Sequence, residues 1–397
     1  MREETLMGYA STIKVPFGPQ HPALKEPESF IFEVDGDTVV NVTARLGYVH
    51  RGVEKGFERR TYVQNLYLAE RICGICSHAH TTCYVQAIEE LLNIDPPPRA
   101  KYIRTIIAEL ERLHSHSLWV GVAAHEAGFD TLFMYTWRDR EEVMELLEAI
   151  SGNRVHYAMN TIGGVRRDMP AETFPTVKKH LDSFEKRVNE YSHIMKTEQT
   201  FLKRTTGVGV LKSEDAVSTC AVGPNLRASG IKEDVRADEP YAAYGETPFQ
   251  VIVHGGGDVL CRALVRIEEM TESINIVRYA LDHIPDGPVR IRAPVTVPAG
   301  EAVSRVEAPR GELIHYAKSN GTTKPERYKV RAPTLANIPS LAKTLIGAHL
   351  ADVPLILAGI DPCFSCMDRM VFMDQGKDKR WIWNMEELKR HTKVERN

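Results

Sequence analysis

Hydrophobic and polar positions along this chain change period twice. Near the N-terminus, Phe30-Ile31-Phe32-Glu33-Val34 and Thr38-Val39-Val40-Asn41-Val42 flank Asp35-Gly36-Asp37. Two β-rich runs around a glycine-containing turn predict a hairpin within about 12–46. The preceding Pro16-Phe17-Gly18-Pro19-Gln20-His21-Pro22 is too proline-rich for regular structure and reads as a rigid surface turn. From about residue 60 the period becomes helical. A helix over 61–72 places Tyr62, Leu66, Leu68, Ala69 and Ile72 broadly on one face. A second runs from Cys83 to Leu92 and stops at Pro96-Pro97-Pro98, and a third runs from Arg99 to about Gly121 with Ile103, Ile106, Ile107, Leu110, Leu113 and Leu118. Further helices are expected at 131–150 and 172–201. The charged face of the latter, with Lys178, Lys179, Glu185, Lys186 and Arg187, reads as solvated surface.

Residues 207–250 are rich in Gly, Pro and charge and read as a long excursion or a lid. A helix resumes over 258–283. Residues 288–331 return to a β pattern, with a turn at Ser319-Asn320-Gly321. A last helix at about 335–348 leads to the apolar run Val353-Pro354-Leu355-Ile356-Leu357-Ala358. The expected class is mainly α: a helical bundle with smaller β portions. One domain is expected over 1–369, made of the hairpin (about 12–46), a helical core (about 60–285) and a β portion (about 288–331), followed by a C-terminal extension at 370–397.

Composition narrows the function classes. With 397 residues, 43% hydrophobic and 26% charged, the chain can build a sizeable core. A net charge of -3 supplies no basic field, so no nucleic-acid partner is expected. No apolar run approaches the roughly 20 residues that span a bilayer. Met1-Arg2-Glu3-Glu4 opens without the apolar stretch of an export signal. The expected place is the cytoplasm, or a membrane reached only through partners. Seven cysteines without an export signal point to metal or redox chemistry rather than disulfides.

Four of the cysteines form two pairs, Cys73-Gly74-Ile75-Cys76 and Cys363-Phe364-Ser365-Cys366. One Cys-x-x-Cys alone is compatible with half a zinc site, a redox dithiol or two buried thiols. Structural zinc pairs usually lie roughly 15–20 residues apart, whereas nearly three hundred residues separate these. A site joining both ends of a large domain reads better as an active centre in a preformed core. Four thiolates suit a soft transition metal or an iron–sulfur cluster, and spacing does not choose between them. Cys83, Cys220 and Cys261 lack paired spacing and read as buried apolar residues.

The flanking residues carry a resemblance. Arg71-Ile72-Cys73-Gly74-Ile75-Cys76-Ser77-His78-Ala79-His80 and Asp361-Pro362-Cys363-Phe364-Ser365-Cys366-Met367-Asp368-Arg369 resemble the paired signatures of nickel–iron hydrogenase large subunits. Gly18-Pro19-Gln20-His21-Pro22, Arg51-Gly52-Val53-Glu54, Glu111-Arg112-Leu113-His114-Ser115-His116, Ser151-Gly152-Asn153-Arg154 and Gly163-Gly164-Val165-Arg166-Arg167-Asp168 resemble its membrane-associated, energy-converting, ferredoxin-linked branch. That branch shares ancestry with the quinone-site subunit of complex I. The resemblance implies that Cys73 and Cys363 are terminal nickel ligands. Cys76 and Cys366 would bridge nickel to an iron that carries CO and CN. Ala308-Pro309-Arg310-Gly311 and Ala332-Pro333-Thr334 resemble the stretches that cradle those diatomic ligands, through Pro309, Arg310, Pro333 and Thr334. By itself Arg310 reads as a surface ion pair.

The same resemblance assigns further roles. Glu26 lies where this branch has its proton-relay glutamate, after Cys363 as first acceptor. Other branches carry a glutamate just before the equivalent of His21, where this chain has Gln20. His80 resembles a histidine that hydrogen-bonds a bridging cysteine, against a plain reading as a core histidine. His21, His114 and His116 read as relay or packing residues, and Glu54 as a contact of a family magnesium site. A cut after Arg369 by a maturation endopeptidase would remove Met370–Asn397. The implied partners are a small hydrogenase subunit with a proximal [4Fe-4S] cluster, a ferredoxin-like subunit with ferredoxin, and integral membrane antiporter-like subunits, at the cytoplasmic face of the cell membrane. The implied activity is reversible H2 cleavage and evolution coupled to ion translocation. Two alternatives stand beside it: a sulfur- or quinone-reducing relative without hydrogen chemistry, and a structural zinc protein.

Overall fold

In the computed structural model, strand β1 (Ile13–Phe17) pairs antiparallel with β2 (Ser29–Asp35), which pairs with β3 (Thr38–Arg45). The residues described are 12–367, Arg369, Met370, Glu387 and Arg390. The rest of the expected 370–397 extension lies outside them. The hairpin is therefore a three-stranded sheet. Pro16, expected in a turn, lies in β1 opposite Ile31. It is tolerated because β1 is an edge strand, where one missing N–H leaves no ladder broken on both sides. Alternation along β2 buries Phe30, Phe32 and Val34 on one face.

Helices α1 (Val53–Arg59), α2 (Tyr62–Glu70), α3 (Ser77–Leu92), α4 (Pro98–Glu126) and α5 (Asp130–Ser151) follow. Thr61 opens α2 with a capping box to Gln64, and Pro98 opens α4 at its first turn. α4 buries Ile103, Ile106, Ile107, Leu110 and Leu113 against α5 and a later helix. Its polar face is buried as well. Arg104 pairs with Glu89 at 2.7 Å, Arg112 with Glu109 at 3.2 Å, and His116 with Glu269 at 2.8 Å. The buried Arg104, Glu109 and Arg112 are tolerated inside the protein because each meets an opposite charge.

A short ribbon, β4 (Asn160–Thr161) and β5 (Gly164–Val165), leads to α6 (Phe174–Thr197) and α7 (Gln199–Thr205). The helix expected over 172–201 breaks at Glu198, whose carboxylate accepts the Phe201 amide at 2.6 Å and starts α7. Residues 207–250 are not a lid. Short helices α8 (Ser213–Ser218), α9 (Pro224–Arg227) and α10 (Val235–Asp238) bury Arg227, Asp234 and Arg236. Arg227 reaches Glu269 and Glu307 at 2.8 and 2.9 Å, and Arg236 reaches Glu109 at 3.1 Å. The charge that suggested an exposed excursion belongs to an internal network.

Helix α11 (Val259–His283) starts on Asp258, which accepts the Cys261 amide. Strands β6 (Gly300–Ala308), β7 (Gly311–Ser319) and β8 (Pro325–Arg331) form a second antiparallel sheet. α12 (Pro333–Leu345) and α13 (Val353–Gly359) then return the chain to the N-terminal sheet. The architecture is mainly α with small sheets. The sharp β6–β7 turn passes against Gly223. A Cβ on Gly223 would lie 2.3 Å from the Gly311 Cα, and Gly223 has φ +66°. Gly223→Ala is expected to lower stability by about 1–3 kcal/mol through strain and the displaced turn. Thermal unfolding checks this; an unchanged melting temperature would mean that the turn yields without cost.

Candidate metal centre

The loop after α2 carries Cys73, and Cys76 is the cap residue of α3. The chain after α13 brings Cys363 and Cys366 to them. Sulfur separations are 3.3 Å for Cys73–Cys363, 3.7 Å for Cys76–Cys366 and 2.9 Å for Cys363–Cys366. All four are buried. Thiols this close cannot ionise independently. Hydrogen bonds from neighbouring thiols hold Cys73 and Cys363 low, while Cys76 and Cys366 are pushed up. A cation among the sulfurs would remove that conflict.

Arg310 stands on the β6–β7 turn, fully buried. Its Nε donates to the Asp361 carbonyl at 2.8 Å and its Nη2 pairs with Asp361 Oδ1 at 2.9 Å. Its Nη1 is buried without a partner. Burial works against its charge, but the Asp361 carboxylate and then the Cys363 thiolate outweigh it and hold the guanidinium well above its ordinary value. The surface ion pair read from Arg310 alone is replaced by a buried one. Pro309 precedes it and shares a small internal cavity with Ala79 and Glu111. Pro333 opens α12, and the Thr334 hydroxyl accepts the Cys363 amide at 2.9 Å. Arg112 supports the approach to the turn, donating to the Glu307 carbonyl at 2.7 Å.

Glu26, on the β1–β2 loop, reaches the second pair. Its Oε2 accepts the Ser365 amide at 2.8 Å, and its Oε1 accepts the Ser365 hydroxyl at 2.6 Å. That hydroxyl lies 3.3 Å from Cys363 Sγ, whereas Glu26 itself is 3.9 Å away. Burial first, and the Cys363 charge second, raise the Glu26 carboxyl. Beside it Gln20, His21, Pro22, Lys25 and Pro27 line an open groove of about 330 Å³. His21 stacks on Phe17 and accepts the Ala23 amide at 3.2 Å, a packing role.

Arg51 ties the two loops together. It donates to the carbonyls of Arg71 and Ile72 at 3.0 and 2.6 Å, and to that of Ser365 at 2.6 Å. His80 is buried, with Nδ1 3.1 Å from His315 Nε2, and a ring nitrogen lies within 4.8 Å of the Cys76 and Cys366 sulfurs. His114 meets Arg140, and His116 meets Glu269, both remote from solvent. Glu54 accepts from the Val330 amide and pairs with Lys329 at 3.2 Å and Arg369 at 2.7 Å. A carboxylate facing two cations is poorly placed for magnesium. Of the remaining cysteines, only Cys83 is fully buried; Cys261 is half-buried and Cys220 exposed, contrary to expectation.

Comparison with known proteins gives this geometry its relatives. The family model described as the respiratory-chain NADH dehydrogenase 49 kDa subunit matches residues 126–297 and 291–369. The nickel-dependent hydrogenase model matches residues 51–121. Membrane-bound hydrogenase subunit alpha of Pyrococcus furiosus is 43% identical over 92% of this chain and 89% of its own. The chain belongs to the membrane-bound hydrogenase large-subunit family, related to complex I. The carbon monoxide-induced hydrogenase of Rhodospirillum rubrum is 42% identical over 90% of this chain and all of its own. A chain of the membrane-bound sulfane sulfur reductase, an archaeal respiratory membrane complex, superposes with TM-score 0.86 at 34% identity, over 90% of this chain and 98% of that one. The family is one of oxidoreductases. Among the described residues no helix is long and apolar enough to cross a membrane.

A metal of this hydrogenase family fits the residues present. Four buried sulfurs form a soft donor set, and the unpartnered Arg310 Nη1 is a donor left over beside it. Ser365, Asp361 and Arg51 were not singled out from the sequence, although all three stand inside quoted motifs. Position in a motif gives no direction for a hydroxyl or a guanidinium. Glu28 was also missed. It is fully buried, with Oε2 unpartnered, and burial pushes it up to about 7. Its native form keeps a proton that the unfolded chain releases, so it costs stability as pH rises from about 4.5 to 7, by up to a few kcal/mol. Glu28→Gln should flatten the fall in melting temperature over that range; an unaltered pH profile would contradict the buried, protonated state.

Proposed function

We propose that this chain is the catalytic large subunit of a membrane-bound, energy-converting nickel–iron hydrogenase, interconverting H2 with protons and electrons. The observation that carries the reading is the convergence of all four cysteines on one buried site beside the spare donor of Arg310. Cys73 and Cys363 would be terminal ligands, and Cys76 and Cys366 bridging ones. Arg310 and Pro309, with Pro333 and Thr334, would wall the diatomic ligands. When bound, the nickel–iron group supplies the redox chemistry and the Lewis acidity that splits H2 heterolytically.

The chain's own residues move the proton. Cys363 Sγ accepts it first. Ser365 Oγ then takes it at 3.3 Å and gives its own proton to Glu26 Oε1 at 2.6 Å. Two short steps through the hydroxyl replace one 3.9 Å step. Glu26, with a carboxyl raised toward working pH, passes the proton to the groove lined by Gln20 and His21. Arg51 and Thr334 keep the two cysteine loops in register during turnover. Electrons would leave to a small subunit with a proximal [4Fe-4S] cluster and on to ferredoxin. Antiporter-like membrane subunits would hold this peripheral chain at the cytoplasmic face and couple electron flow to ion movement.

A sulfur-reducing role is the second reading, favoured by the superposition on the sulfane sulfur reductase chain. Metal analysis and infrared spectroscopy of the purified complex separate the two. Nickel and iron in about equal amounts, with bands of metal-bound CO and CN, are expected; zinc alone, or no such bands, rejects the hydrogenase reading. Cys363→Ser should abolish H2 evolution. Ser365→Ala should retain nickel and slow H2–D2O proton exchange roughly 10- to 100-fold; an undiminished rate would remove the hydroxyl from the path. Glu26→Gln should slow the same exchange.

A further inference from the structure

Cys76 stands where a helix normally keeps its capping side chain. It precedes α3 with φ -122° and ψ 42°, and its own side chain caps nothing. A helix start leaves its first amides without partners inside the helix, and a Ser, Thr, Asp or Asn at this position usually accepts them. A thiol is a weak acceptor. The Cys76 sulfur is turned to the other cysteines instead, 3.7 Å from that of Cys366. Ser77, His78 and Ala79 are all buried, so solvent does not stand in for the cap.

The missing cap comes from another helix. Glu111, fully buried on α4, presents both carboxyl oxygens to this turn. Oε1 accepts the His78 amide at 2.6 Å, and Oε2 accepts the Ala79 amide at 2.9 Å. These are the second and third residues of α3, the amides that a local cap would take. The Ser77 hydroxyl adds a longer bond to Oε1 at 3.4 Å. Burial raises the Glu111 carboxyl to about 8, and these three donors act against that rise. The grip does not depend on the proton, because both oxygens keep lone pairs in either form. The next residue along α4, Arg112, holds a different element. Its Nη2 donates to the Glu307 carbonyl at 2.7 Å and its Nη1 to the Ala308 carbonyl at 3.4 Å. Two consecutive residues of one helix thus hold the start of α3 and the end of β6, just before Arg310. Between these elements Glu111 and Pro309 line the same small cavity.

We propose that Glu111 is a positioning residue, which caps α3 from α4 and so fixes Cys76 against the Arg310 turn. The arrangement resolves a conflict at one position, since a side chain that binds a metal cannot also cap the helix it begins. α4 is a firm base for it, with Ile107, Leu110 and Leu113 in the largest core. The catalytic meaning rests on the hydrogenase reading above, because only a metal held by Cys76 responds to where that sulfur sits. Glu111 acts through the backbone of His78 and Ala79, two and three residues beyond Cys76. Its effect on the centre is geometric, a matter of supporting the ligand rather than of chemistry at the substrate.

The test has two parts, both on the purified complex. Glu111→Gln keeps the shape of the side chain and turns an amino group toward one of the two amide donors. Backbone hydrogen exchange, read by mass spectrometry, should become about 10- to 100-fold faster at residues 77–80 and stay unchanged in the middle of α4. Undiminished protection at 77–80 overturns the cap. Exchange that rises equally along α4 overturns it too, because Glu111 would then be a general core residue. Glu111→Asp keeps the carboxyl on a shorter stem and should give the same local loss, which covers a glutamine variant that does not assemble. At full nickel content the CO and CN infrared bands of Glu111→Gln should shift; unmoved bands would mean that Cys76 keeps its place without the cap. If the wild-type complex lacks such bands, the hydrogenase reading fails, while the exchange measurement still decides the cap.

Discussion

Phe364 and Met367 bury themselves in the N-terminal core, with Phe30, Phe32, Leu341 and Leu357, while Cys363 and Cys366 face the core that holds the first pair. Burying an apolar side chain of this size is worth about 1.5–3 kcal/mol. That is enough to fix which face of this short turn looks into the N-terminal core. The cysteines point the opposite way because their neighbours are anchored. Thr334 on the Cys363 amide, Glu26 on the Ser365 amide and Arg51 on the Ser365 carbonyl then fasten the backbone. The three grips come from α12, from the β1–β2 loop and from the segment before α1. The N-terminal sheet and the last helices are thus the seat on which the second half of the centre rests.

Elements with a single apolar stripe and a cap were legible in the sequence. The helix expected at 131–150 is found at Asp130–Ser151, and that expected at 258–283 at Val259–His283. Legibility failed where charge is internal. Arg227, Asp234 and Arg236 look like solvent-facing residues until Glu109, Glu269 and Glu307 are seen to meet them. Those partners lie far away in sequence, and no local pattern records the pairing. Pro16 misled for the opposite reason, since only sheet order reveals an edge. At the site, the four cysteines, Arg310, Thr334 and Glu26 were all placed by motif and stand near one another. Ser365 was hidden because a serine between two cysteines carries no sign of which way its hydroxyl turns.

Electrostatically the centre is built between two differently treated groups of charge. On one side a lone guanidinium, Arg310, is held by Asp361 and faces the thiols. On the other, α4 carries a closed set of charges. Arg112 and Arg227 hold Glu307 by its carbonyl and its carboxylate, three residues before Arg310. The position of the turn beside the cysteines is thus set by contacts that never see the site.

That closed set has an evolutionary consequence. Glu109 answers to Arg112 and Arg236, Asp234 to Arg227 and Arg236, and Glu269 to Arg227 and His116. Removing any one member strands a buried charge, whereas removing a matched pair does not. Substitutions here are therefore strongly epistatic: the first step is costly and the second restores much of the loss. Lineages of this fold can exchange the interior of α4 only by coordinated change, so the charge pattern along that helix should drift in blocks rather than residue by residue.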